Sequence, residues 1–247
     1  MINSISLIFP VFNEQQRINN SLNKIKKFID STKLQYVEII FIDDGSTDKT
    51  YLIIKNFFFK FLKKKNVKLI LLKNNRNYGK GFSLKKGVAY SNAKWVLTLD
   101  IDLSVNINQF QKWFLNNSSL PKQSYHIYLG SRNHPNSKVT KSYFRYLLGC
   151  VFKFLVFFLF QLTYHDTQCG YKLYKKEIAK KLFSKLRDNR FVHDIEIILI
   201  ANLMKISIKE MPVKWIHKKG SKLNIFIDIF VMFWDLLKLK KRFLIRG

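Results

Sequence analysis

Nine of the sixteen carboxylates in this chain fall in short clusters: Glu14, Asp43, Asp44, Asp48, Asp100, Asp102, Asp166, Asp194 and Glu196. Acids that merely solubilise a surface would not gather where apolar strands end. The sharpest cluster is Asp100-x-Asp102. Two carboxylates this close repel each other unless a cation joins them, and a hard divalent ion with open positions would bridge them to a diphosphate. Asp43-Asp44-Gly45-Ser46 forms a second acidic turn. A helix cap there would account for Asp48, while the two adjacent acids suit hydrogen bonds from a base or a ribose. Arg76-Asn77-x-Gly79-Lys80 reads as a phosphate-side loop, where glycine lets amides approach and a helix start favours an anion. The five histidines are scattered, no Cys/His cluster has zinc spacing, and neither a nucleophilic triad nor a nucleic-acid recognition motif stands out.

These residues need elements to carry them. Residues 5–12 read as a strand, followed by a helix from about Glu14 to Ser31. Val37–Ile42 is a continuous apolar run, the mark of a strand covered on both faces, and it stops at Asp43. Val67–Leu72, a helix over Gly79–Ser91 and a strand over Trp95–Leu99 complete the alternation. The pattern predicts an α/β fold with an open, mostly parallel sheet, whose ligands bind outside the carboxyl ends of the strands. Asp43, Asp44, Asp100 and Asp102 would converge on that edge. Further on, Ile127–Gly130 reads as a strand, Asp166–Lys172 as a polar loop, and helices as starting near Lys175 and after His193. Ile206–Trp215 reads as an edge strand containing Pro212.

Composition bounds the class. The chain has 247 residues with 47% apolar residues, enough for a sizeable core, so a disordered polycation is excluded. Two cysteines make no disulfide framework, and the start of the chain reads as a strand rather than a secretory leader, so an intracellular globular protein is expected. Lysine outnumbers arginine 36 to 8 and the formal charge is +28. Biased coding spread over a solvated surface is one reading of this; attraction to polyanions such as nucleic acid, nucleotide phosphates or anionic lipid is the functional one, and charge alone does not choose between them.

The order Phe9-Pro10-Val11-Phe12-Asn13-Glu14, Asp43-Asp44-Gly45-Ser46-x-Asp48, Arg76-Asn77-x-Gly79-Lys80-Gly81 and Asp100-x-Asp102 resembles family 2 glycosyltransferases of the GT-A fold. Gly130-Ser131-Arg132, the segment Asp166 to Lys172, Phe191-x-x-Asp194-x-Glu196 and Gly220-Ser221-Lys222-Leu223 look like the dolichyl-phosphate β-glucosyltransferase branch of that family. The resemblance covers nearly the whole chain. It implies inverting transfer of glucose from UDP-glucose to a polyprenyl phosphate, with Mg²⁺ or Mn²⁺ on Asp102 and Asp100. It further implies a nucleotide-sugar site at Pro10, Phe12, Glu14, Asp43, Asp44, Lys80 and Asp100. Arg132, Lys172, Ser221 and Lys222 are the candidates to hold the acceptor phosphate, and Asp102 and Asp194 the catalytic carboxylates. Asp194 would shape the acceptor side or serve as a base. GDP-mannose or another UDP-sugar is the alternative donor, and a non-catalytic basic protein that binds membrane or nucleic acid is the alternative class.

A polyprenyl acceptor demands a membrane surface, and Tyr146–Thr163 is eighteen residues with one lysine. A single span there would put Asp166–Lys172 and Asp194 across the bilayer from Asp43 and Asp102, so an in-plane or re-entrant segment is expected. The alternative is that it packs on the sheet. The domain reading is a GT-A domain over 1–221, with an apolar membrane-interface segment at 143–164, and an amphipathic membrane-associating helix over 222–247. The protein would sit on a membrane with its active site facing the cytoplasm.

Overall fold

The computed structural model describes residues 2–59, 64–115, 125–140, 143–218 and 225–244. Its centre is a seven-stranded sheet of β1 (Ser4–Val11), β2 (Tyr36–Asp43), β3 (Val67–Lys73), β4 (Trp95–Thr98), β5 (Ile127–Ser131), β7 (Lys172–Lys175) and β8 (Ile208–Pro212). The strand order is β3-β2-β1-β4-β7-β5-β8. β6 (Lys138–Thr140) and β9 (Lys214–Ile216) form a separate parallel pair.

Alternation along the strands explains the three layers. In β2, Val37, Ile39 and Phe41 join the core beneath α1 (Ile18–Ser31), α2 (Thr50–Phe59) and α4 (Gln109–Leu115). Ile40 and Ile42 point the other way, into the core shared by α3 (Lys80–Tyr90), α6 (Lys176–Lys185) and α7 (His193–Leu203). Successive side chains leave opposite faces of a strand, so a continuous apolar run has helices on both sides.

Two features of the sheet position the site. The chain runs β1-β2-β3 outward and then returns with β4 to the other side of β1, leaving a crevice at the carboxyl ends of β1 and β4. β7 then enters antiparallel between β4 and β5, with Lys172 opposite Thr98. A reversed strand brings its own start to the carboxyl edge, so the 166–171 segment arrives beside the Asp100 turn. The sequence reading had placed a loop and a helix start here. Four residues are too short for periodicity to mark, and pairing on both sides makes them a strand. The expected strand over Ile206–Trp215 likewise divides at Val213 into edge strand β8 and β9.

The apolar segment forms α5 (Tyr143–Phe160), which ends where Gln161 takes a left-handed φ of 54°. Among the described residues, no helix is long and apolar enough to cross a membrane. Val156 and the following Leu162 are buried in the second core, while Val151, Phe154, Phe157 and Phe158 face outward. The C-terminal helix α8 (Ile225–Leu244) packs against α5 and buries Leu236 and Leu239. It is therefore docked on the domain by its own apolar face, and its polar residues Asp235 and Arg242 are partly buried.

One buried acid is purely architectural. Glu38, wholly buried in β2, accepts hydrogen bonds from Ser6 Oγ (2.5 Å), Tyr36 Oη (2.8 Å) and the amides of Asn92 (2.7 Å) and Ala93 (3.2 Å). It fixes the loop entering β4 to β1 and β2. Glu38→Ala strands these donors and is expected to cost about 2–4 kcal/mol, read as a lower urea midpoint at unchanged slope.

Candidate active site

The loops after β1 and β2 are stitched together before they meet any ligand. Asn13, at a φ of 52°, accepts the Thr47 amide on Oδ1 at 2.8 Å, and its own amide donates to Ser46 Oγ at 2.9 Å. The Glu14 amide donates to Thr50 Oγ1 at 2.7 Å. Pro10 lies in β1 opposite Ile42, and Phe12 is exposed at the strand end. The Glu14 carboxylate is not open to a ribose as expected: it is buried and paired with Arg17, whose Nη2 lies 2.6 Å from Oε1. Arg17 escaped the sequence reading, although a cation three residues after a motif acid is a signal. Its guanidinium is held charged first by the hydrogen bond to Glu14, and the charges of Asp102 and Asp100 add to this.

The two acids of the second turn have separate fates. Asp44 holds the following loop, accepting from Asn74 Nδ2 (2.7 Å), the Tyr78 amide (3.1 Å) and the Gly79 amide (2.8 Å). Asp43 is fully buried, yet neither oxygen makes a well-formed hydrogen bond among the described residues. Burial raises its pKa against the pull of Ser46 and Lys73. An acid in that condition calls for a donor from outside.

The expected phosphate loop is also corrected. Its Tyr78 and Gly79 amides are taken by Asp44, and the Phe82 amide by Asn189 O at 3.3 Å. Gly79, at a φ of 105°, is needed because the backbone of Asn189 occupies the space a Cβ would fill. What the loop contributes is Lys80, whose Nζ lies 2.6 Å from Asp100 Oδ1.

Asp100 and Asp102 sit in one turn, closed by the Leu103 amide on Asp100 O at 3.1 Å and the Ser104 amide on Asp102 Oδ1 at 2.9 Å. Asp100 is half exposed; crowding by neighbouring groups opposes its charge, but Lys80 outweighs this and holds the carboxyl below its usual range. Asp102 is pushed up, first by burial and then by Asp100. Gly170, from the segment before β7, lies so close that an added Cβ would stand 2.5 Å from Asp100 Oδ2. These oxygen donors fit a hard divalent cation, which would relieve the repulsion that raises Asp102. Among the described residues no group of three or more His, Cys, Asp or Glu gathers to hold a metal, so diphosphate and water oxygens would complete the coordination.

On the far side, Lys172 and Asp194 are both buried and form an ion pair, with Lys172 Nζ also 2.7 Å from Cys169 O. Burial works against the Asp194 charge, but His193, Lys172 and Lys80 together bring its pKa down to about 2. Paired with Lys172 and lowered in pKa, Asp194 is a poor proton acceptor, which favours the shaping role over the base role expected for it. Lys172 is likewise a buried partner of this acid rather than an open phosphate ligand. Arg132, at the end of β5, grips Asp166 with Nε at 2.7 Å and Nη2 at 2.9 Å. It presents a fixed, half-neutralised cation. Ser221 and Lys222 lie outside the described residues.

Arg132 and Asp166 border a cavity of about 530 Å³, whose other wall includes Phe152, Lys153 and Val156 of α5 and Trp215 of β9. The structure thus brings Asp43, Lys80, Asp100, Asp102, Lys172 and Asp194 to one edge, with Arg132 at its cavity side.

Residues 6–183 match the family described as Glycosyl transferase family 2. The chain belongs to this family and is a glycosyltransferase, so the non-catalytic alternative falls away. A dolichyl-phosphate beta-glucosyltransferase of Dictyostelium discoideum is 33% identical, over 98% of this chain and 75% of that protein. One from Homo sapiens is 34% identical, over 97% and 76%. Glucosyl-3-phosphoglycerate synthase from Mycobacterium tuberculosis, solved with Mn²⁺ and UDP-glucose, superposes with a TM-score of 0.65 at 14% identity, over 96% of this chain and 79% of that one. A mannosyltransferase from Pyrobaculum calidifontis, solved with GDP-mannose and Mn²⁺, gives 0.55 at 15%, and this chain covers 88% of itself but 57% of that chain. These two establish the shared GT-A fold.

The lowered acids set an acid limit. Asp194, near 2 when folded against 3.8 in its unperturbed state, adds stability that is complete above about pH 4 and lost as pH falls through about 2. Asp100 and Asp166 are shifted in the same direction. The thermal midpoint measured across this window should fall steeply with acidification; a flat profile would refute the pairing.

Proposed function

We propose that the protein transfers glucose from UDP-glucose to a polyprenyl, dolichyl-type phosphate, giving β-linked polyprenyl-phosphate glucose. The observation that carries this reading is a buried acid, Asp43, whose oxygens make no well-formed hydrogen bond among the described residues and have only Ser46 at looser geometry, on the same edge as the Asp100–Asp102 turn. Asp43 suits the N–H and O–H donors of a nucleoside, and the turn suits a metal-bound diphosphate. Relatives with the dolichyl-phosphate beta-glucosyltransferase name support the sugar and the lipid.

UDP-glucose is α-linked, so a β product needs one inverting displacement. An acceptor phosphate oxygen attacks C1, the bond from C1 to the UDP oxygen breaks, and its electron pair leaves with the diphosphate. The nucleophile is already an anion at neutral pH, so no strong base is required, in keeping with the low pKa of Asp194. Asp102 and Asp100 would hold Mg²⁺ or Mn²⁺, which supplies neutralisation of the leaving diphosphate. Lys80 keeps Asp100 in place, while Lys172 and Asp194 fix the floor between donor and acceptor. Arg132 at the cavity mouth orients the acceptor phosphate as a fixed cation.

The acceptor implies a lipid surface. The outward stripe of α5, with Phe154, Phe157 and Phe158, and Phe233 and Trp234 of α8 suit an in-plane docking face. The cavity opens under α5, where a lipid phosphate could enter from the side. Lysines close to an anionic leaflet would add roughly 1 kcal/mol each. Both cysteines are free, which suits an active site on the cytoplasmic face.

Transfer of radiolabelled sugar into polyprenyl phosphate tests the chemistry. UDP-glucose should label the lipid and EDTA should abolish the transfer; Asp102→Asn should reduce it by about 100-fold or more with vesicle binding intact. Label from GDP-mannose instead would reassign the donor. Separately, replacing Phe154 and Phe158 with serine should weaken flotation with anionic vesicles by at least roughly tenfold. Unchanged flotation would remove α5 from the docking face.

A further inference from the structure

Glu196 belongs to the same helical turn as Asp194 but serves a different part of the molecule. Its buried carboxylate faces away from the Lys172 pair, and Oε2 accepts the amides of Asp188 at 2.7 Å and Arg187 at 3.2 Å. Oε1 faces Arg242 Nη1, on the last turn of α8, at 3.6 Å. The carboxylate therefore joins the C-terminal helix to the backbone of the segment between α6 and α7.

That segment is the seat of the donor-side helix. Leu186 O accepts Lys85 Nζ at 2.8 Å, and Asn189 O accepts the Phe82 amide at the start of α3. The Asp188 and Asn189 carbonyls fill the space above Gly81 and Gly79. The residue between those glycines is Lys80, which holds Asp100. At the segment's other end, His193 Nδ1 donates to Arg190 O at 2.6 Å. A continuous set of contacts thus runs from α8 through Glu196 and the 187–190 backbone to the lysine that steadies the metal-facing turn.

We infer that Glu196 is a positioning residue for the donor end of the site, and that through Arg242 the seating of α8 is part of that positioning. Without the carboxylate, two amides lose their acceptor and a guanidinium its ion-pair partner, the 187–190 backbone is no longer fixed against α3, and Lys80 is no longer fixed on Asp100. The Arg132–Asp166 side is carried by β5 and the segment before β7, so the acceptor end keeps its geometry. The inference rests on the proposed donor chemistry.

The test uses the full chain, with calorimetric binding of UDP in the presence of Mn²⁺ and, separately, the KM for a polyprenyl phosphate. Glu196→Ala, which removes the acceptor of both amides and the partner of Arg242, should weaken UDP binding about three- to tenfold and leave the acceptor KM unchanged, and Glu196→Gln, whose side-chain oxygen can still accept the two amides, should recover part of the loss. Arg242→Leu should weaken it in the same direction, and the double variant should be no worse than Glu196→Ala alone. UDP affinity in Glu196→Ala within about twofold of wild type, or an equal loss at the acceptor end, would overturn the inference. Additive losses would remove Arg242 and α8 from it. If wild-type protein bound no UDP with Mn²⁺, the donor reading would fall and this inference with it.

Discussion

Carboxylates packed at one end of a sheet repel each other and lose their hydration, so each must find a cation or a donor. This requirement organises the catalytic edge. Asp100 has Lys80, Asp166 has Arg132, Asp194 has Lys172, and Glu14 has Arg17. Each cation arrives from a different place: the start of α3, the end of β5, the start of β7 and the turn before α1. The pairs therefore fix helices and loops against the sheet as well as balancing charge.

The balance is incomplete in a chemically useful way. Asp100, Asp166 and Asp194 are held below the ordinary carboxylate range by their partners. Asp43 and Asp102 are raised, chiefly by burial. The two acids with unmet demand stand where a nucleoside and a metal-bound diphosphate would satisfy them, and the satisfied acids form the frame. Ionisation of the frame is cheap, and the cost of ionising the other two is lowered by ligand.

α5 and α8 each bury one apolar stripe in the helical layer and leave another outside. The same helices that hold the domain together thus carry the stripe that, under the proposed function, would meet lipid. The cavity beneath α5 lies between that surface and the catalytic edge. Glu196 and Arg242 link this half to the donor side through backbone contacts, which gives the outer helices a mechanical connection to the chemistry.

The first four strands, the acids at their ends and the family were legible in the residues, because a doubly covered strand needs an unbroken apolar run and a metal-facing turn needs adjacent carboxylates. Local pattern also placed α5, though not its end at Gln161. Which acid was free was not legible. Asp43 and Asp44 are neighbours of one type, and only the fold gives Asn74 and two amides to one and no well-formed hydrogen bond to the other. The same holds for Lys172 and Arg132, whose basic character pointed to phosphate but whose pairing depends on β7 running antiparallel. Sequence fixes where charges lie along the chain, because residue type and local period are one-dimensional properties. Which charges cancel is decided by long-range strand order, because the Coulomb energy depends on distances that only the tertiary structure sets.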